Sequence, residues 1–143
     1  MEYGFSVPTR GPLATMENMA SIVVAGEELG FHIASVSDHV VIPTDISSVY
    51  PYSEDGVFLT ADGSGECLEQ LTTIAAVAAS TSSIRLLTSV MVLPYRNPVY
   101  TAKVLASIDV LSEGRLNVGC GVGWMKEEFV ALNAPPFNRF RLN

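Results

Sequence analysis

At 143 residues the chain is long enough for one domain with a sizeable core, and with 48% hydrophobic against 16% charged residues it is too apolar to be disordered. A net charge of −7 argues against a nucleic-acid backbone or an anionic membrane surface as partner. Cys67 and Cys120 have no metal-type spacing, no segment approaches the apolar length of a membrane span, and "MEYGFSVPTR" carries a glutamate where a signal peptide has its basic region; together these predict free thiols and a cytoplasmic protein.

"YGFSVP", Tyr3 to Pro8, is strand-like. A helix follows from Thr15 to Leu29, with Thr15 as N-cap, Glu17 in the first turn and Gly30 offering a left-handed C-terminal position. "FHIASVSDH", Phe31 to His39, is the second predicted strand. A long connection, Pro43 to Gly65, then leads to the Ala-rich helix "LEQLTTIAAVAAST". It holds Tyr50, Tyr52 and Phe58, and connections of this length are usually functional or disordered; the functional reading is a substrate-side flap. "SIRLLTSVMVLP", Ser83 to Pro94, is nearly continuously apolar, as a strand buried on both faces is. Asn97-Pro98 opens a helix to Leu111, "RLNVGCG" is the fourth strand, and "WMKEEFVALN" begins the next helix.

Strands alternating with helices predict an α/β fold with a parallel sheet, and both a (β/α)8 barrel and a doubly wound open sheet obey that order. In either, chemistry gathers at the carboxyl ends of the strands. That selects Pro8 and Thr9, Ser37 to His39, Thr88 to Val92, and Gly121 to Trp124. The last group belongs to "RLNVGCGVGW", which looks like a dinucleotide-binding turn. The fingerprint needs glycines at its first, third and sixth positions, and the sixth is Trp124 or Lys126 depending on the frame. The fingerprint fails.

"YGFSVPTRGPLA", "GEELGF", "SDHVVIPT", "YPYSEDG", "LPYRNP" and "LSEGRLNVGCGVGWMKEEF" together resemble the luciferase-like monooxygenase superfamily, in its branch of deazaflavin (coenzyme F420)-dependent oxidoreductases. The resemblance runs to about Asn133 and implies a (β/α)8 barrel, of which this chain supplies about four N-terminal βα units. It also implies F420, or alternatively FMN, as cofactor and a small organic molecule as substrate. With the deazaflavin, carbon 5 of the ring exchanges hydride with the substrate; with FMN, the reduced ring activates oxygen.

Site roles follow from the same resemblance. His39 is similar to the family histidine facing the substrate side of the ring, where an imidazole stabilises charge or relays a proton. Asp38 is a candidate for the ring's polar edge. Ser89-Val90 resembles the site of a cis non-proline peptide that backs the ring. Gly121, Val122, Gly123 and Trp124 would let backbone approach it, because glycine lacks Cβ. Glu127, or its neighbour Glu128, is a candidate for the polar edge, although carboxylates also favour a first helical turn for its dipole. Trp124 stands where some deazaflavin-dependent dehydrogenases carry a catalytic glutamate, which argues against their proton-donor mechanism here. The alternative expectation is a truncated, non-catalytic half-barrel that self-associates as a homo-oligomer or needs a complementing chain, motivated by an end at "FNRFRLN".

Overall fold

A computed structural model describes residues 1–58 and 66–135. Four parallel strands, β1 (Gly4–Ser6), β2 (Ile33–Val36), β3 (Arg85–Val92) and β4 (Leu116–Gly121), form one sheet in the order β1-β2-β3-β4. Helices α1 (Met16–Glu28), α2 (Gln70–Ser80) and α3 (Pro98–Leu111) connect them, and α4 (Lys126–Ala131) follows β4. Chain order and spatial order coincide, without the reversal that defines a doubly wound sheet. That is the strand order of a barrel wall. The part of the long connection at 59–65 and the terminal "FNRFRLN" lie outside the described residues.

Local chemistry explains the helix starts. Thr15 Oγ1 accepts from Asn18 N, Glu69 Oε2 from Thr72 N, and Asn97 Oδ1 from the amides of Val99 and Tyr100, with Pro98 leading the helix. Gly30 has φ +82°, the left-handed turn expected after α1. The main core packs Met19 and Val23 of α1, Leu71, Ile74 and Val77 of α2 and Ile108 of α3 against Ala34, Val36, Leu86 and Met91 of the sheet.

The second strand is shorter than its sequence suggests, ending at Val36 instead of His39. Ser37, Asp38 and His39 leave the ladder because their side chains have partners elsewhere. Both cysteines are free. Among the described residues no helix is long and apolar enough to cross a membrane.

Candidate functional site

At the carboxyl ends of the strands lies a cavity of about 550 Å³. Asp38, His39, Ser89, Val90, Gly121, Val122, Gly123 and Trp124 all line it, so strand ends far apart in sequence converge as the fold rule requires. Glu127 does not line it.

His39 is 8% exposed, and its Nδ1 lies 2.8 Å from Oε2 of Glu128, a carboxylate with no exposure at all. The other oxygen of Glu128 accepts from the amides of Val40 at 2.7 Å and Val41 at 3.1 Å. Burial pushes the Glu128 carboxyl up, but the His39 ring and these two amides outweigh it, and the net direction is down. An ionised carboxylate only accepts, so the shared proton sits on Nδ1, and Nε2 is the nitrogen left for the cavity. Tyr95 also lines the cavity; burial first, and then the negative charge of Glu128, raise its phenol well above the usual range. It stays neutral.

Asp38 has a fully buried side chain. Its Oδ2 accepts from Val92 N and Arg96 Nη1, both at 2.8 Å, and its Oδ1 from Arg96 Nη2 at 2.7 Å. The same Nη2 reaches Oε1 of Glu69 at 2.8 Å. A bidentate pair of this kind is among the stronger polar contacts a protein makes. Here it ties the end of β2 to the end of β3 and to the start of α2. What the structure gives Asp38 is a set of partners within the protein.

The Ser89–Val90 peptide is cis, as the resemblance implies, and the β3–β4 register shifts between Thr88 and Met91. Beside it, a Cβ at Gly121 would fall 2.5 Å from Val90 Cγ2. Gly123 has φ +80°, and a Cβ there would meet Phe129 at 2.7 Å. The room left by the missing side chains is thus taken by the protein's own atoms. The glycine run first allows β4 to close on the irregular part of β3, and only then contributes backbone to the cavity wall.

The two glutamates of α4 divide their work. Glu127 Oε1 accepts from Ser47 N, Ser47 Oγ and Ser48 N, while Lys126 N donates to Ser48 Oγ. Glu127 holds the long connection, and Glu128 holds His39. Burial raises the Glu127 carboxyl, but the serine donors prevail and bring it to about 2. The sequence points first to Glu127 for the polar edge; the signal that separates it from Glu128 is Met125, Glu128 and Phe129, all buried on one helical face, with Glu127 off it. Arg96, the partner of Asp38, was missed, because nothing in its sequence neighbourhood points to a residue so distant in the chain.

The described part of the connection brings Tyr50 and Phe58 over the cavity. Tyr50 packs on Trp124 at 5.0 Å and on Phe58 at 5.1 Å between ring centroids, and Phe58 lies 5.1 Å from the His39 ring. These aromatics form an apolar wall above the imidazole.

The luciferase-like monooxygenase family profile matches residues 1–142. The chain belongs to that family. The luciferase-like chain is 35% identical over 113 residues to an uncharacterised protein of Mycobacterium tuberculosis, covering 79% of this chain and 40% of that protein. It is 31% identical over 114 residues to an F420-dependent glucose-6-phosphate dehydrogenase of Gordonia bronchialis, covering 79% of this chain and 29% of the dehydrogenase. Among solved structures, the oxygenating constituent of 3,6-diketocamphane monooxygenase from Pseudomonas putida, in complex with FMN, superposes with a TM-score of 0.66 at 19% identity, over 92% of this chain and 32% of that one. That likeness supports the barrel fold. The luciferase-like chain spans about 40% of the length of the first curated relatives it matches.

Proposed function

We propose that the protein carrying this chain is an oxidoreductase that works with a flavin-type cofactor, F420 in preference to FMN, on a small organic substrate. The observation that carries the proposal is the His39 imidazole, buried at the cavity wall and held through Nδ1 by an ionised carboxylate. The preference for F420 rests on the relative named for it, which shares 31% identity with this chain. The FMN-bound neighbour, at 19% identity, supports the fold alone.

A flat ring system fits the wall described. Val90 and Val122 present 46% and 64% of their surfaces, and Ser89 and Gly121 add backbone between them. Ser89, Val90, Gly121, Val122, Gly123 and Trp124 would hold the ring. The bound cofactor supplies hydride exchange if it is F420, or oxygen activation if it is FMN. The chain's own residues do the rest. His39 exchanges a proton with the substrate through Nε2, and Glu128 fixes the ring's tautomer and direction. Tyr50, Phe58 and Trp124 exclude water above the imidazole, while Asp38 and Arg96 hold the strand ends that place it.

The test is His39→Asn in the full-length holoenzyme. General acid–base contributions are typically about 10²- to 10⁴-fold, and a turnover loss of that size with cofactor binding retained is expected. Unchanged turnover would overturn the assignment.

A further inference from the structure

Arg10 is set apart from the other described arginines. Arg85 pairs with Glu2, Arg96 with Asp38 and Glu69, and Arg115 donates to the carbonyls of Ser112, Ile84 and Ala78 and to Thr81 Oγ1. Among the described residues Arg10 has neither an ion pair nor a hydrogen bond from its guanidinium. Its Cζ stands 5.1 Å from the centroid of the Phe58 ring. A cation over an aromatic face keeps its donors free at the edge of the guanidinium plane.

Its place in the fold matters as much. Arg10, Tyr50 and Phe58 line both the cavity at the strand ends and a second cavity of about 570 Å³ outside it. Arg10 therefore stands where the two cavities adjoin. The carboxylates on the outer lining are Glu54 and Asp55, and Asp55 is turned onto Val57 N at 3.0 Å. Arg10 is thus a half-buried arginine with no ion-pair partner among the described residues, set against the aromatic wall of Tyr50 and Phe58.

We propose that Arg10 is the anion anchor of the substrate side, and that the substrate is a flat, aromatic or conjugated ring bearing a carboxylate or phosphate. The ring packs among Tyr50, Phe58 and Trp124, and the anion takes the donors of Arg10. This deepens the proposed function, since it assigns the cavity's outer half to substrate. The same donors would suit a cofactor phosphate, so the experiment separates the two sources.

Binding of 2-naphthoate and of its neutral isostere 2-naphthamide to the full-length protein is measured by calorimetry, for wild type and Arg10→Gln. A charge-assisted contact of this kind corresponds to roughly tenfold or more in affinity. Naphthoate is expected to bind at least that much more tightly than the amide in wild type, and Arg10→Gln to abolish the difference without weakening the amide. Equal affinities in wild type, or a preference surviving in Arg10→Gln, would overturn the proposal. FMN and riboflavin form the second arm. If Arg10→Gln weakens FMN alone and leaves the naphthoate preference intact, the anchor serves the cofactor and the proposal falls. Should Arg10→Gln fail to fold, Arg10→Lys takes its place and must retain part of the preference. A naphthoate preference in a protein that binds neither F420 nor FMN would sink the cofactor reading and leave the anchor standing.

Discussion

Nδ1 of His39 and Oε2 of Glu128 meet at 2.8 Å across 89 residues of chain, joining the end of the second strand to the helix after the fourth. Because that carboxylate also satisfies Val40 N and Val41 N, one side chain sets both the ring and the backbone that bears it. Glu128→Gln cannot accept from all three donors with a full charge. Turnover in the holoenzyme is expected to fall about 10- to 100-fold with an altered pH–rate profile, a size in keeping with losses seen for partners that orient a catalytic or metal-bound histidine. Glu128→Ala should in addition cost roughly 3 kcal/mol of stability, since it strips a buried pair of one member. Chemical denaturation and a pH–rate profile measure the two separately. A profile identical to wild type in Glu128→Gln would refute the positioning role.

Arg96 is bidentate to Asp38 and also touches Glu69, so lysine is a poor substitute despite keeping the charge. Arg96→Lys is expected to destabilise the protein by about 1–3 kcal/mol and Asp38→Ala by about 3–5 kcal/mol. Urea denaturation of each variant gives the comparison. Asp38→Ala should be the worse of the two, because it leaves the half-buried guanidinium with Glu69 alone and the amide of Val92 without its acceptor.

Gly123→Ala forces an L side chain into φ +80° and against Phe129. The expected loss is about 1–3 kcal/mol, combining backbone strain with displacement of a packed ring. Gly30, at φ +82° with nothing near its missing Cβ, serves as the control; alanine there should cost only the backbone part. Thermal melts of the pair separate crowding from conformation.

Glu27 receives the amides of Ser82, Ser83 and Ile84 and the hydroxyl of Ser83. Burial raises its carboxyl, the donors lower it further, and the result is about 2 against an ordinary 4.5. The folded value lies below the unfolded one, so folding favours the ionised form. Its contribution is complete above pH 4.5 and disappears as pH falls through about 2. Glu27→Gln should therefore destabilise at pH 7 by about 1 kcal/mol, the modest size reflecting solvent screening. The gap between variant and wild type should close on acidification across that window. A gap independent of pH would show that the loss does not arise from ionisation of Glu27.

The element order was legible because strong local signals mark it: Thr15 and Asn97 as caps, Gly30 past a helix end, and the apolar run of β3. Strand ends were less so. Asp38 and His39 read as strand continuation, yet Arg96 and Glu128 draw them out of the ladder, and pairings between residues so far apart leave no local trace in one sequence. The convergence of His39, Ser89 and Gly121 on one cavity could be anticipated, since it follows from parallel strand direction alone. The cause of the glycine spacing could not, because it lies in the closeness of Val90 and Phe129, side chains of other elements.

One guanidinium, that of Arg96, holds both ends of the connection that carries Tyr50 and Phe58: Asp38 just before it and Glu69 just after. Glu127 pins its middle through Ser47 and Ser48. The part of this span from Pro43 to Gly65, past His39 and its neighbours, can be rewritten at little entropic cost, since closure cost grows only slowly with length. Selection, or an engineer, can thus exchange what the cavity admits while the imidazole and its carboxylate stay where they are. Recognition and chemistry here are modular: the stretch after Val41 can change while His39, Val40 and Val41 stay on Glu128.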